Sequence, residues 1–210
     1  EWGFGGHVTE DGHYLIITVW QGTHRENGLF YKDLTNDSNI IELLPDFDAA
    51  YHYLGNDGAI LYLETDRDAP MSRIIAIDIN NRDQIRDIIP ESSDALEYAS
   101  LIANTFITGY LHDTSSRIRL YETDGTHIRD VDLPGIGSAG GFGGKRTDRN
   151  TYYVFTSFTT LMVVAILCVK SKSYKYKGNI FYIFDTFRSS YRCSSKLACG
   201  GAEMSTSCRD

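Results

Sequence analysis

The sequence predicts an all-β chain built from a repeated unit of short strands, and three observations predict it. Four runs rich in β-branched and aromatic residues recur at Tyr14–Trp20, Ala59–Glu64, Thr105–Leu111 and Thr151–Ser157, and such residues pack well on a pleated surface. After each of the first three comes a second run: Asn27–Leu34 (NGLFYKDL), Ser72–Ile79 (SRIIAIDI) and Ser116–Thr123 (SRIRLYET), spaced 45 and 44 residues apart. Asp11-Gly12, Asn56-Asp57-Gly58 and Asp124-Gly125 punctuate the pattern, and these pairs tolerate the positive φ of a hairpin turn.

A period near 45 residues is that of four-stranded β-propeller blades. A sandwich also has short strands with turn signals, but it gives no reason for this period. Each unit closes on a further strand and an acidic or proline-containing link, at Ile40–Pro45, Ile85–Pro90 and Ile128–Pro134. In order, Glu1–Gly6 reads as a glycine-aromatic turn and Val8–Trp20 as a turn and strand. Gln21–Asn27 reads as a polar loop between two strands. The second unit runs from Ala50 to Pro90, with Thr65–Pro70 in the place of that loop. The third runs from Ala95 to Pro134, with His112–Ser115 as the equivalent loop. The fourth begins at Gly135 and reaches Thr160, after which the pattern is expected to stop. Asn36-Asp37-Ser38 fits a glycosylation sequon and is read as a turn.

The length of 210 residues is too short to close six or seven blades, which at this period need roughly 270 residues or more. The chain opens mid-pattern on Glu1, which predicts a piece of a longer protein. Residues 1–160 carry 12 Lys and Arg against 25 Asp and Glu, whereas residues 161–210 carry 8 against 3. The acidic body argues against a nucleic-acid partner, because that binding neutralises phosphates with cations. All four cysteines, Cys168, Cys193, Cys199 and Cys208, lie outside the repeat and form no CxxC or zinc spacing. A cysteine-free body suits a reducing compartment, so a cytoplasmic location is expected. Residues 161–210 are read as an atypical tail, produced by a frameshift, intron read-through or a mispredicted gene. Within it, Leu161–Val169 is expected to pack as a strand or short helix. Thr186–Asp210 is expected to be mostly irregular, without a disulfide framework, and protease to cut at Lys170–Lys177 or beyond Arg188.

The local motifs do not carry chemistry. Gly135–Gly140 fits G-x-G-x-x-G, which serves a pyrophosphate only when a helix follows. Here a charged turn and a strand follow, so the segment reads as an inter-blade link. Gly144-Lys145 fails as a phosphate loop, because Ala139 stands at its first glycine and Arg146 follows the lysine. Ser138 fails as a nucleophile elbow, because Ile136 stands where glycine is needed. The six histidines form no H-x-x-x-H pair. Asp66 and Asp68 flank Arg67, and two carboxylates supply too few oxygens for a hard cation; a salt bridge within the loop is the simpler reading. Thr151–Val169 is uncharged over 19 residues. Its first half is hydroxyl-rich and strand-like, and its apolar core is too short to span a membrane. No metal, no cofactor and no membrane partner is expected.

FGGHVTEDGHYLIITVWQGT, NGLFYKDL, TDRDAPMSRIIAID, IIPESSDALEYA, GYLHDTSSRIRLYETDG and YYVFTSFTT, in that order from Glu1 to Thr160, resemble the propeller domain of the prolyl oligopeptidase family. The resemblance implies about three and a half blades of a partial β-propeller, out of seven in the family. It implies a serine peptidase whose propeller is non-catalytic and caps the active site, admitting short peptides that are cut after proline. The family's triad sits in an α/β-hydrolase domain that has no match here, so no catalytic residue is carried over. The missing hydrolase domain and short proline-containing peptides are the implied partners. Two family loops face the catalytic cavity; Gln21–Asn27 matches the first and places Thr23 there, and Thr65–Pro70 matches the second and places Arg67 there. By resemblance, Arg67 offers a fixed positive charge near the peptide. The alternative from another class is an independent β-propeller interaction module, which further blades followed by a stop would favour.

Overall fold

The computed structural model describes residues 1–159, 162–169, 197–199 and 202–204. Every regular element among them is a strand, and the strands form successive antiparallel meanders. The first sheet orders β1 (Trp2–Val8), β2 (Tyr14–Gln21), β3 (Asn27–Asp33) and β4 (Ile41–Leu44). The second orders β5 (Tyr51–Asp57), β6 (Ile60–Thr65), β7 (Arg73–Asp78) and β8 (Asn81–Ile89). The third contains β9 (Ala95–Ile102), β10 (Thr105–His112), β11 (Ser115–Glu122) and β12 (His127–Val131). The fourth has three strands among the described residues: β13 (Ser138–Gly143), β14 (Asn150–Thr156) and β15 (Val163–Cys168). A four-stranded meander repeated at this period is a propeller blade, so the chain is a partial β-propeller, as its periodicity predicts. By contact, it divides into Glu1–Ala99 and Ser100–Asp210.

In the first unit the core lies between the first two sheets. Ile16 and Thr18 on β2 pair with Tyr31 and Leu29 on β3, and Leu61 and Leu63 on β6 pair with Ile77 and Ile75 on β7. Ile16, Leu29, Tyr31, Leu61, Leu63, Ile75 and Ile77 form one buried cluster. Period-2 alternation puts them on one face of each sheet. The other face of the second sheet is also buried, through Tyr62, Ile74 and Ala76. In the second unit Ser116 ties β11 to β13: its backbone N–H donates to Gly137 O at 2.9 Å, and its Oγ accepts the Ala139 N–H at 3.0 Å. Phe142 stacks on Tyr153 with ring centroids 5.0 Å apart.

Three expectations are corrected. Glu1–Gly6 is not a turn, because Trp2–Val8 is a strand in full register with β2. Its glycines serve packing: the Trp20 indole lies across Gly3, where a Cβ would come within 2.5 Å of it. Gly135–Gly140, read as a link, runs into a strand from its fourth residue: Ser138–Gly143 is paired with β14 on both sides of a register shift. The sheet also continues past Thr160, where the repeat was expected to stop: Val163–Cys168 pairs with β14 from Asn150↔Cys168 to Phe155↔Val163, which bears out the packing expected of Leu161–Val169. The apolar run thus supplies the third strand of the fourth sheet. Composition could not show this, because a short apolar run reads equally as strand or helix.

Beyond it, β16 (Leu197–Cys199) and β17 (Ala202–Met204) pair as a short hairpin, and Cys168 is disulfide-bonded; most of Thr186–Asp210, expected to be irregular and without a disulfide framework, lies outside the described residues. Cysteine spacing in sequence carries no information on the Cα separation that a bridge requires. The protease sites expected at Lys170–Lys177 and beyond Arg188 lie outside the described residues. Among the described residues no helix is long and apolar enough to cross a membrane.

The first strand leaves Trp2, Phe4 and Val8 exposed at 63%, 79% and 49%. A blade buries its faces against neighbours, and an uncovered apolar face invites association. The chain is therefore expected to bind a hydrophobic dye and to self-associate, and W2S/F4S to reduce both. A monodisperse monomer that binds no dye would show that this surface is inert.

Candidate functional site

Strand direction alternates along a meander, so the β2–β3, β4–β5 and β6–β7 connections all fall at one end of their sheets. The hairpin turns at Asp11-Gly12 and Gly58 fall at the other, where Asn56 Nδ2 donates to Asp11 Oδ2 at 2.7 Å. The candidate site is the first of these ends. It comprises the loop 21–27, the link 45–50 and the loop 65–72.

Asn27, at the start of β3, holds the link. Its side chain accepts the Tyr51 N–H at 2.7 Å and donates to Tyr51 O at 3.0 Å, and its own N–H donates to Ala49 O at 3.0 Å. Asn27 and Tyr51 are both buried, so the amide acts as one extra rung between neighbouring sheets. From the other side Asp66 accepts the Ala50 N–H on Oδ1 at 2.7 Å and Arg25 Nη2 on Oδ2 at 2.9 Å. The two loops expected to face a substrate are thus joined directly.

Arg67 does not pair within its own loop, which corrects the salt bridge read from Asp66-Arg67-Asp68. Its Nε lies 3.3 Å from Asp48 Oδ2 in the link, and Asp48 Oδ1 accepts the Tyr51 hydroxyl at 2.7 Å. Burial, and then the Asp48 carboxylate, push the Tyr51 phenol well above its usual range, so it stays a donor. Asp68 takes a positive φ of 50° and turns outward, which leaves Asp48 as the carboxylate on Arg67. Thr23 sits exposed in the first loop, one residue past the Gly22 turn. The structure therefore brings Arg25, Asp66, Arg67, Asp48 and Tyr51 together, with Thr23 on the outer loop. Asp48, Tyr51 and Arg25 were missed in the sequence, because nothing local links residues 24 and 41 positions apart. The one signal was the recurrence of the two loops at equivalent places in the repeat. Among the described residues no group of three or more His, Cys, Asp or Glu could hold a metal ion.

Repeated four-stranded meanders, with loops clustered at one end, define a β-propeller module. Residues 1–164 match the prolyl oligopeptidase N-terminal β-propeller domain, and the chain belongs to the prolyl oligopeptidase family. It is 35% identical over 158 residues to a prolyl endopeptidase of Elizabethkingia meningoseptica, covering 74% of this chain and 22% of that protein. It is 26% identical over 168 residues to the dual function macrocyclase-peptidase POPB of Amanita bisporigera, covering 76% of this chain and 23% of the other. Among solved structures, one from a study of two prolyl endopeptidases and the role of inter-domain dynamics superposes with a TM-score of 0.75 at 32% identity, covering 80% of this chain and 25% of that one. Prolyl oligopeptidase B from Galerina marginata, at 23% identity and a TM-score of 0.76, covers 81% and 25% and shares the fold. The chain spans about a fifth to a quarter of the length of these relatives.

Proposed function

We propose that residues 1–160 are the non-catalytic, gating portion of a peptidase that cleaves short peptides after proline, and that 161–210 is a tail of foreign sequence whose first run, Val163–Cys168, is recruited as the third strand of the fourth sheet. In this reading the end carrying the loops 21–27 and 65–72 is the rim that faces the peptide, with Thr23 on its outer loop and Arg67 on its inner one. The Arg25–Asp66 bond at 2.9 Å is the observation that carries the reading. It joins the two loops that the family resemblance singled out, at the same end of adjacent sheets. Arg67, held by Asp48, offers its remaining N–H groups in a fixed direction, which suits a peptide carbonyl or carboxylate.

Peptide hydrolysis needs a nucleophile, a base, an orienting acid and an oxyanion site held together. The residues at this rim do not make that set, so the chain contributes positioning and access rather than bond cleavage. Purified chain is expected to cleave a proline-containing chromogenic peptide no faster than buffer does. Cleavage sensitive to a serine-directed inhibitor would refute the reading. The foreign tail is tested separately, by sequencing the transcript across the Thr160 codon; a spliced message encoding 161–210 in many tissues would show that the tail is genuine.

A further inference from the structure

We propose that the loop 21–27 is a hinged flap and that Arg25–Asp66 is the electrostatic latch closing it onto a fixed loop 65–72. The two loops differ in how they are held. The second is stitched from within, by Ala69 N–H to Asp66 O at 3.0 Å, Arg67 N–H to Thr65 Oγ1 at 3.1 Å and Ser72 N–H to Ala69 O at 2.8 Å. It is also tied outward, through Arg67 to Asp48 and Asp66 to Ala50. Its Asp66 side chain is only 20% exposed, so the carboxylate is a fixed jaw.

The first loop is the opposite. Gln21 through Glu26 are all exposed, and within the loop one backbone bond closes the turn, His24 N–H to Gln21 O at 3.1 Å. Both of its ends are anchored, by Gly22 N–H to Glu1 O at 2.8 Å and by the buried Asn27. Between those anchors, Arg25 Nη2 to Asp66 is the bond that draws the loop toward the second sheet. The Arg25 side chain is 74% exposed. An ion pair this exposed is weak and screened by salt, which is what a part that opens and recloses requires. Thr23 rides on the flap, whereas Arg67 stays behind on the fixed loop. An incoming carboxylate would compete with Asp66 for the Arg25 guanidinium and so open the flap. That last consequence rests on the rim reading above; the latch itself is measured without any peptide.

The experiment is amide hydrogen exchange by mass spectrometry on the full chain. R25Q is expected to raise exchange in the peptide spanning 23–26 by about 2- to 5-fold, the worth of an exposed ion pair, through the His24 N–H that the loop's internal bond protects, while 66–72 and the flanking strands keep their rates. D66N should do the same, because its amide oxygen still accepts the Ala50 N–H while the charge is lost. R25K should restore most of the protection. Raising sodium chloride to 0.5 M should open 23–26 in the native chain and leave R25Q unmoved. No change in 23–26 in either variant, a salt response that persists in R25Q, or a rise spread through β2 and β3 would each overturn the latch.

Discussion

Asn27→Ala is expected to destabilise the chain by about 2–5 kcal/mol, the cost of stranding two buried polar groups. The Asn27 amide satisfies both the N–H and the C=O of Tyr51, at 2.7 and 3.0 Å. Tyr51 is 1% exposed, so water cannot replace the lost partners without the two sheets separating. Alanine removes both bonds and leaves both groups of Tyr51 in place. Asn27→Asp keeps the acceptor for the Tyr51 N–H, but it loses the donor and buries a charge, so it should be no milder. Urea unfolding followed by circular dichroism measures this. An Asn27→Ala midpoint within error of the native one would show that the link 48–51 does not hold the first two sheets together.

Glu64→Gln is expected to stabilise the chain, and more so as pH rises. Glu64 lies on β6, opposite His52 on β5 and Ile74 on β7, and its carboxylate accepts the Ala99 N–H. Burial raises its pKa from 4.5 to about 7, and the Ala99 bond opposes part of that rise. In the unfolded chain the group titrates near its ordinary value, so between about pH 4.5 and 7 the folded state holds a proton that the unfolded state has lost. The folded state is therefore favoured by protonation. That contribution is complete below the unfolded pKa and is lost as pH rises through 7. The total penalty is about 3 kcal/mol, of which roughly 1 to 2 falls between pH 6 and pH 8.5. Glutamine stays neutral throughout, and its carbonyl can still accept the Ala99 N–H. The stability gap between Glu64→Gln and the native chain should thus widen across that window in urea titrations. Parallel stability curves would mean that the carboxyl is already solvated in the fold.

The repeat was legible in sequence because a blade is a local object. Tyr14–Trp20 and Asn27–Leu34 are adjacent in the chain, and their alternation and turn residues specify an antiparallel pair with little outside help. The same holds for the strand pairs of the second and third units, and for the loops that recur between them. What composition misassigned were the glycine-rich strands Trp2–Val8 and Ser138–Gly143. Glycine weakens a strand on its own, and only the Trp20 indole laid over Gly3, or the rungs supplied by β14, make those segments strands.

The rim was legible only in outline. Periodicity and resemblance placed Thr23 and Arg67 in equivalent loops, but which carboxylate each arginine meets depends on how one blade is rotated against the next. That rotation is set by long-range packing of Ile16, Leu29, Leu63 and Ile75. It brings Asp48, far from Arg67 in sequence, nearer than the flanking Asp66 and Asp68, and it turns Asp66 toward Arg25 instead. The sequence by itself determined the paired central strands of the first three blades, their period and the end of each blade at which its loops emerge. The tertiary structure decided the pairing of charges at the rim, the raised pKa of Glu64 and the unequal tethering of the two loops, because burial and Coulomb interaction depend on distances that only packing sets.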